Sequence, residues 1–198
     1  MPAINRCSSV LLACALAAPA QSPALKTFHD ATYGVTFRYP AQWSSGPDVQ
    51  FYLGSEILER NPDGGAKEPL GKVGFVVGKT GPYAGTDLNG VQFVFNAIAR
   101  STEDDCRKRV EDVANRPLLQ TTVHGIAYNH YSGGDAGLGH GAAREIFSSF
   151  RDGHCYLFEE SVHTVSMDDP KPLSPSQLNH LHKELDGVMQ SVRYDSAQ

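Results

Sequence analysis

Apolar and polar residues alternate along much of this chain, which is the pattern of β-strands with one buried face. Val35, Phe37 and Tyr39 are separated by polar residues, and residues 26–30 are placed to pair with them through a turn at Gly34. This predicts a β-hairpin near the start of the folded chain. Further segments of strand character lie at 49–53, 72–78, 91–99, 125–133, 143–151 and 155–164.

Clusters of glycine, proline and aspartate separate the strand segments at 61–65, 81–85 and 133–141. Because these connections are short, we expect antiparallel pairing, since parallel strands need long crossovers. The glycine-rich segment at 133–141 joins two strands and does not open a helix. We therefore interpret it as a mobile hairpin loop and not as a phosphate-binding loop.

Helical spacing replaces the alternation at one point in the middle of the chain. Cys106, Val110 and Val113 fall on one face of a helix that begins at Thr102 or the residue before it. Acidic residues in the first turn favour this start, because they interact well with the helix dipole. The helix must end before Pro117.

A second helix follows a proline-rich connection near the carboxyl end. Ser174 is a suitable N-cap, Pro175 suits the first helical position, and Gln177 completes a capping box. The apolar stripe expected to face the sheet consists of Leu178, Leu181, Leu185, Val188 and Val192. Strands and two helices in this order predict an α+β fold, with an antiparallel β-sheet flanked by helices.

Both ends of this pattern resemble the PsbP-like superfamily, whose fold the nuclear-transport factor Mog shares. The matching segments are GVTFRYPAQW at 34–43 and MQSVRYD at 189–195. The resemblance implies an α/β/α sandwich and no enzymatic activity, since members are generally accessory or binding modules. It assigns no functional residue, because the shared positions are of the kind that pack. We expect Trp43 to cover the core, the alternative being an aromatic ligand platform.

The first twenty residues have the features of a secretory signal peptide. Arg6 precedes an apolar run at 10–18, and Ala18 and Ala20 fit the small-x-small cleavage rule. The run is too short for a transmembrane span. We expect a signal peptide at 1–20, a single domain at 21–198, and export to the periplasm or the cell exterior. The alternative is a lipid anchor at Cys14, since residues 11–14 resemble a lipobox.

Charge excludes one class of partner. Removal of the signal leaves 16 basic against 22 acidic residues, a net charge of −6. Nucleic acid binding needs a basic surface to displace counterions from phosphates, so it is not expected. We expect a protein partner or a small ligand.

Cleavage also removes Cys7 and Cys14, so the exported chain keeps two cysteines, Cys106 and Cys155. Two thiols in an oxidising compartment usually pair, which predicts a disulfide between them. The alternative is two buried free thiols.

Histidines are the sharpest chemical candidates. His130 and His140 flank the glycine-rich segment with Asp135 between them, and imidazole and carboxylate suit a divalent metal. A metal-dependent hydrolase built on these three residues is the alternative function. Their spacing matches no known metal signature, and His180 and His182 point apart on a helix.

Sequence motifs of hydrolases, phosphate-binding loops and zinc proteases are absent from the chain. Glu159 and Glu160 alternate across a strand and do not form an acid and base pair. We therefore assign no catalytic residue, cofactor or metal ligand. The favoured function is an exported, non-catalytic binding or assembly module.

Overall fold

The computed structural model describes residues 24–46, 69–114, 117–166 and 170–195. The expected signal peptide, the strand at 49–53 and the turn at 61–65 lie outside these ranges. Within them the chain forms two helices, α1 (Glu103–Ala114) and α2 (Pro175–Met189). The strands are β1 (Leu25–Asp30), β2 (Val35–Pro40), β3 (Ser44–Ser45), β4 (Gly71–Val76), β5 (Leu88–Ala99), β6 (Leu119–Val123), β7 (Ile126–Gly137), β8 (His140–Arg151), β9 (His154–Val165) and β10 (Arg193–Tyr194).

The strands form two antiparallel sheets, as the short connections predicted. The larger has seven strands in the order β3-β4-β5-β9-β8-β7-β6, and the smaller has the order β1-β2-β10. The hairpin of β1 and β2 is thus confirmed, although it belongs to the separate small sheet. The strand β6 and the short strands β3 and β10 were not predicted.

Each face of the large sheet carries its own apolar core. Leu157 of β9 packs in one cluster with Cys106 and Val110 of α1. The next residue, Phe158, packs in the other cluster with Leu181 of α2 and Phe37 of the small sheet. Adjacent strand residues point to opposite faces, so α1 and α2 cover opposite sides. The predicted α+β class, with an antiparallel sheet between helices, is confirmed.

Local capping explains where the helices begin. The Thr102 hydroxyl accepts a hydrogen bond from the Asp105 amide at 3.1 Å, and Ser174 and Gln177 form the predicted capping box. The apolar stripe predicted for α2 is wrong at two positions, Leu178 and Val192. Leu178 is 36% exposed at the margin of the helix. Val192 is buried, but it follows the end of α2.

The glycine-rich segment at 133–141 is not a loop, which corrects the sequence interpretation. β7 and β8 remain paired through it and are joined by a tight turn at Leu138 and Gly139, where φ is 51° and 79°. A Cβ on Gly134 would lie 2.2 Å from the Ala142 carbonyl oxygen. The glycine at position 134 therefore permits close contact between β7 and β8 and does not indicate mobility.

A disulfide joins Cys106 of α1 to Cys155 of β9, with a Cα–Cα distance of 5.3 Å. The predicted pairing is therefore present, and it fixes α1 to the centre of the sheet. Neither α1 nor α2 has the length and apolar character needed to span a bilayer.

Candidate functional site

The three residues of the predicted metal site do not come together. His130 lies opposite Phe147 on the α2 face of the sheet. Asp135 has the other parity along β7, so its side chain projects from the opposite face, where its carboxylate lies 3.3 Å from Arg144. His140 lies past the turn, opposite Gly137. No group of three metal-binding side chains occurs within the described ranges, and the placement of His130, Asp135 and His140 around a loop is wrong.

His130 instead lies in a groove between α2 and the outer strands β6, β7 and β8. The groove has a volume of about 370 Å³. Its walls combine polar groups from both sides with three buried apolar side chains, those of Val123, Phe147 and Met189. The lining residues are Thr121, Val123, His130, Glu145, Phe147, His182, Asp186, Met189 and Gln190.

The sheet wall of the groove is a fixed polar arrangement. The His130 Nε2 atom lies 2.5 Å from one carboxylate oxygen of Glu145, and the Ser132 hydroxyl donates to the other oxygen at 2.6 Å. The His130 ring stacks on Phe147, with centroids 4.6 Å apart and planes 7° apart. These contacts hold the Glu145 carboxylate in one position at the side of the groove.

The helix wall contributes a second carboxylate. Asp186 and His182 lie one turn apart on α2, so both project toward the sheet on the same side. His180 faces the other flank of the helix, where its Nε2 atom lies 3.8 Å from Glu184. The expectation that His180 and His182 point apart is therefore confirmed.

Glu160 lies beside these groups on the same sheet face. It is directly opposite Glu145 in the β8–β9 register and is only 2% exposed. Burial raises its pKa well above the usual range of a glutamate, and the nearby carboxylates of Asp186 and Glu145 raise it further. Its Oε1 atom has no hydrogen-bond partner among the described residues. The protonated acid is therefore favoured, and one buried oxygen remains unsatisfied.

The opposite sheet face holds a different polar group. Arg144 lies 3.5 Å from Glu159, and the Ser161 hydroxyl lies 3.0 Å from His163 Nε2. Ser161 and His163 are each 1% exposed. Burial, and secondarily Arg144, lowers the pKa of His163 to about 4, so its ring is neutral at ordinary pH. This pair is closed to solvent and packs as interior structure.

Trp43 packs in the core, as the sequence analysis favoured. It is 1% exposed, and its ring centroid lies 6.0 Å from that of Phe75. The two rings border a small cleft of about 290 Å³ together with Tyr83. Trp43 therefore does not form an exposed aromatic platform.

Sequence reasoning missed Glu145 and Asp186 as members of the site. Strand alternation places His130 with Ser132 and Glu145 with Phe147. Bringing these pairs together requires the β7–β8 register, which the misassigned loop at 133–141 concealed. The contribution of Asp186 depends on how α2 crosses the sheet.

Comparison with known proteins finds neither a matching family model nor a matching curated protein. Solved structures of similar architecture include the cyanobacterial PsbP of Synechocystis sp. PCC 6803, with 12% identity, coverage of 92% of this chain and 99% of that one, and a TM-score of 0.46. The Ran-binding protein Mog1p of Saccharomyces cerevisiae has 7% identity, coverage of 87% and 96%, and a TM-score of 0.49.

LpqN of Mycobacterium tuberculosis, described as involved in cell envelope biogenesis, has 11% identity, coverage of 87% and 91%, and a TM-score of 0.45. The chain spans about half, 48%, of a similar Bacteroides thetaiotaomicron protein. A PsbP and a Mog protein are thus among the structural neighbours, in agreement with the resemblance at the two ends of the sequence.

Proposed function

We propose that this protein is an exported, non-catalytic binding module that contacts its partner through the groove between α2 and the outer strands. The observation that carries the proposal is the convergence of polar side chains from two separate elements on one open cavity. Glu145 and His130 come from the sheet, and Asp186 and His182 from the helix. A concave site with a few convergent polar groups on an apolar base is the usual form of a binding pocket.

The base of the groove is part of the packed core of the fold. Phe147 and Met189 are buried at 7% and 2% exposure, whereas Asp186 and Gln190 above them are exposed. A ligand entering the groove therefore passes polar groups at the rim before it reaches the fixed apolar base. This arrangement resembles an interface with an apolar centre and a polar margin.

The contacts of His130 argue for recognition and against the hydrolase alternative. Its ring is held between Phe147 and Glu145, and Asp135 projects from the other sheet face. General base catalysis requires a base within hydrogen-bond reach of a nucleophile or water in a productive pose. The hydrolase alternative needs His130, Asp135 and His140 in one site, and the β7–β8 pairing places Asp135 on the other sheet face.

Photo-crosslinking tests this function in cells of the source organism. A photoreactive amino acid placed at Thr121 or Gln190 is expected to give a discrete adduct, because both residues line the groove. The matched control position is Lys108 on α1, which is 58% exposed on the other side of the sheet. Adducts that are equally strong at Lys108, or absent from both groove positions, would contradict the proposal.

Export is part of the proposal and has its own test. We expect the secreted protein to begin at Gln21, because residues 18–20 fit the signal peptidase rule. The disulfide is compatible with an oxidising compartment. Intact mass spectrometry of the protein recovered from the envelope or medium checks this start. A mass that includes acyl chains on Cys14 would instead support the lipid anchor.

A further inference from the structure

Glu160 is a buried carboxyl group with one oxygen that lacks a hydrogen-bond partner among the described residues. It is a carboxyl group at 2% exposure, on the face of β9 that is covered by α2. Its Oε1 atom has no hydrogen-bond partner within the described ranges. A buried polar atom without a partner destabilises the fold, because it has lost its water and gained no hydrogen bond. Glu160 adjoins Glu145 in the β8–β9 register, so a charge that enters the groove beside Glu145 acts on it at short range.

The groups that face Glu160 are mostly acidic. Glu145 adjoins it from β8 and Asp186 approaches from α2, and both carboxylates act on it electrostatically. The histidines on these elements are His130, which is engaged with Glu145, and His182 on α2. No lysine or arginine occurs among the described residues that line the groove. The site therefore lacks a permanent positive charge to balance its acids.

We infer that the groove recognises a basic side chain, of arginine or lysine, presented by a protein partner. The charged head would lie between Glu145 and Asp186, which line the groove, and beside the buried Glu160, which adjoins Glu145 in the β8–β9 register. Its alkyl stem would lie on Phe147 and Met189, since long basic side chains bury their stems on apolar surfaces. A protein source suits a groove whose outer wall is the edge strand β6, where an extended segment can approach.

This inference rests on the groove being the binding surface, and it adds a proton-linked signature. An arriving cation favours the charged form of Glu160, so binding is expected to release a proton where the free acid is protonated. Affinity should therefore increase as pH rises.

The experiment compares two capped tripeptides, Gly-Arg-Gly and Gly-citrulline-Gly, by NMR titration of the intact domain. Citrulline keeps the shape of arginine without its charge. We expect the arginine peptide to shift the signals of His182 and Asp186 and to bind at least about tenfold more tightly, because a hydrogen bond to a charged group contributes about 1.5–3 kcal/mol. Equal binding of the two peptides, or none of either, would overturn the inference.

Variants separate recognition from folding. Asp186→Asn and Glu160→Gln should each weaken the arginine peptide about tenfold or more, whereas Glu111→Gln on α1 should not. Calorimetry in buffers of different ionisation enthalpy should show proton release in the unmodified protein and none in Glu160→Gln. Unchanged affinity in both groove variants would contradict the inference.

Stability gives an independent readout for Glu160→Gln. A raised pKa in the folded state means that the stability from Glu160 is fully present below the ordinary glutamate pKa and is lost as pH rises. The glutamine variant should therefore unfold at higher denaturant concentration than the parent at neutral pH, with a flatter pH profile. If crosslinks form at the groove but the arginine peptide does not bind, the proposed binding function is supported and only the inference of a basic ligand is contradicted.

Discussion

Replacing Cys106 and Cys155 together by alanine is expected to lower the free energy of unfolding by up to about 4 kcal/mol. The bond closes a segment with a sequence separation of 49, so its loss greatly increases the freedom of the unfolded chain. It also connects α1 to β9, and both cysteines lie in the apolar cluster beneath that helix. The loss should therefore loosen α1 first.

Urea unfolding of the oxidised protein and the double alanine variant measures this effect. The two cysteines are 1% and 0% exposed, so a reductant reaches them only after local opening. The protein unfolded and refolded in reductant serves as the control and should match the variant. Coincident unfolding curves for the oxidised protein and the variant would show that the disulfide adds nothing to stability.

Periodicity and capping made most of the architecture predictable. The hairpin of β1 and β2, the starts of α1 and α2, and the antiparallel order all follow from local signals that the tertiary structure does not override. The Cys106–Cys155 pairing followed from compartment and from the position of Cys106 on the apolar stripe of α1. The strands and helices depend on residues close together in sequence, and the disulfide follows from the number of cysteines that remain in the exported chain.

The groove was not predictable for a specific reason. Glycines at 133–134 and the turn at Leu138 and Gly139 have the composition of a loop, yet they serve close strand contact. Assigning them to a loop hid the β7–β8 register that places Glu145 beside Ser132 and His130. A pair of carboxylates from different strands leaves no pattern in the sequence. The prediction that Glu159 and Glu160 point to opposite faces of the sheet is confirmed. Which side chains surround each of them depends on how the helices pack on those faces.

Those two neighbouring glutamates differ sharply in their surroundings. Glu159 is 0% exposed and lies 3.5 Å from the Nε atom of Arg144, whose side chain is 5% exposed. Glu160, on the other face, lies among acids. The fold therefore gives Glu159 a cationic neighbour and Glu160 acidic ones, so the two glutamates differ in the charge that surrounds them.

Arg144→Met is accordingly expected to lower the free energy of unfolding by about 3 kcal/mol or more, because removing one partner of a buried ion pair leaves the other charge poorly compensated. Chemical denaturation measures the loss. The double variant Arg144→Met, Glu159→Met should regain much of it, since well-packed apolar residues of similar volume often replace such pairs without cost. A double variant less stable than Arg144→Met would contradict this explanation.

Arg107 of α1, which forms exposed ion pairs with Asp104 and Glu111, provides the matched control for that test. Arg107 contacts Asp104 at 2.5 Å, a shorter distance than the buried pair has, but its side chain is 41% exposed. Water and salt screen an exposed pair and the side chains lose entropy in forming it, so Arg107→Met should change stability little. We therefore expect the shorter Arg107–Asp104 contact to contribute less to stability than the Arg144–Glu159 contact, because burial affects the energy of an ion pair more than distance does here. If Arg107→Met proved as harmful as Arg144→Met, desolvation of Glu159 could not be the cause of the larger loss.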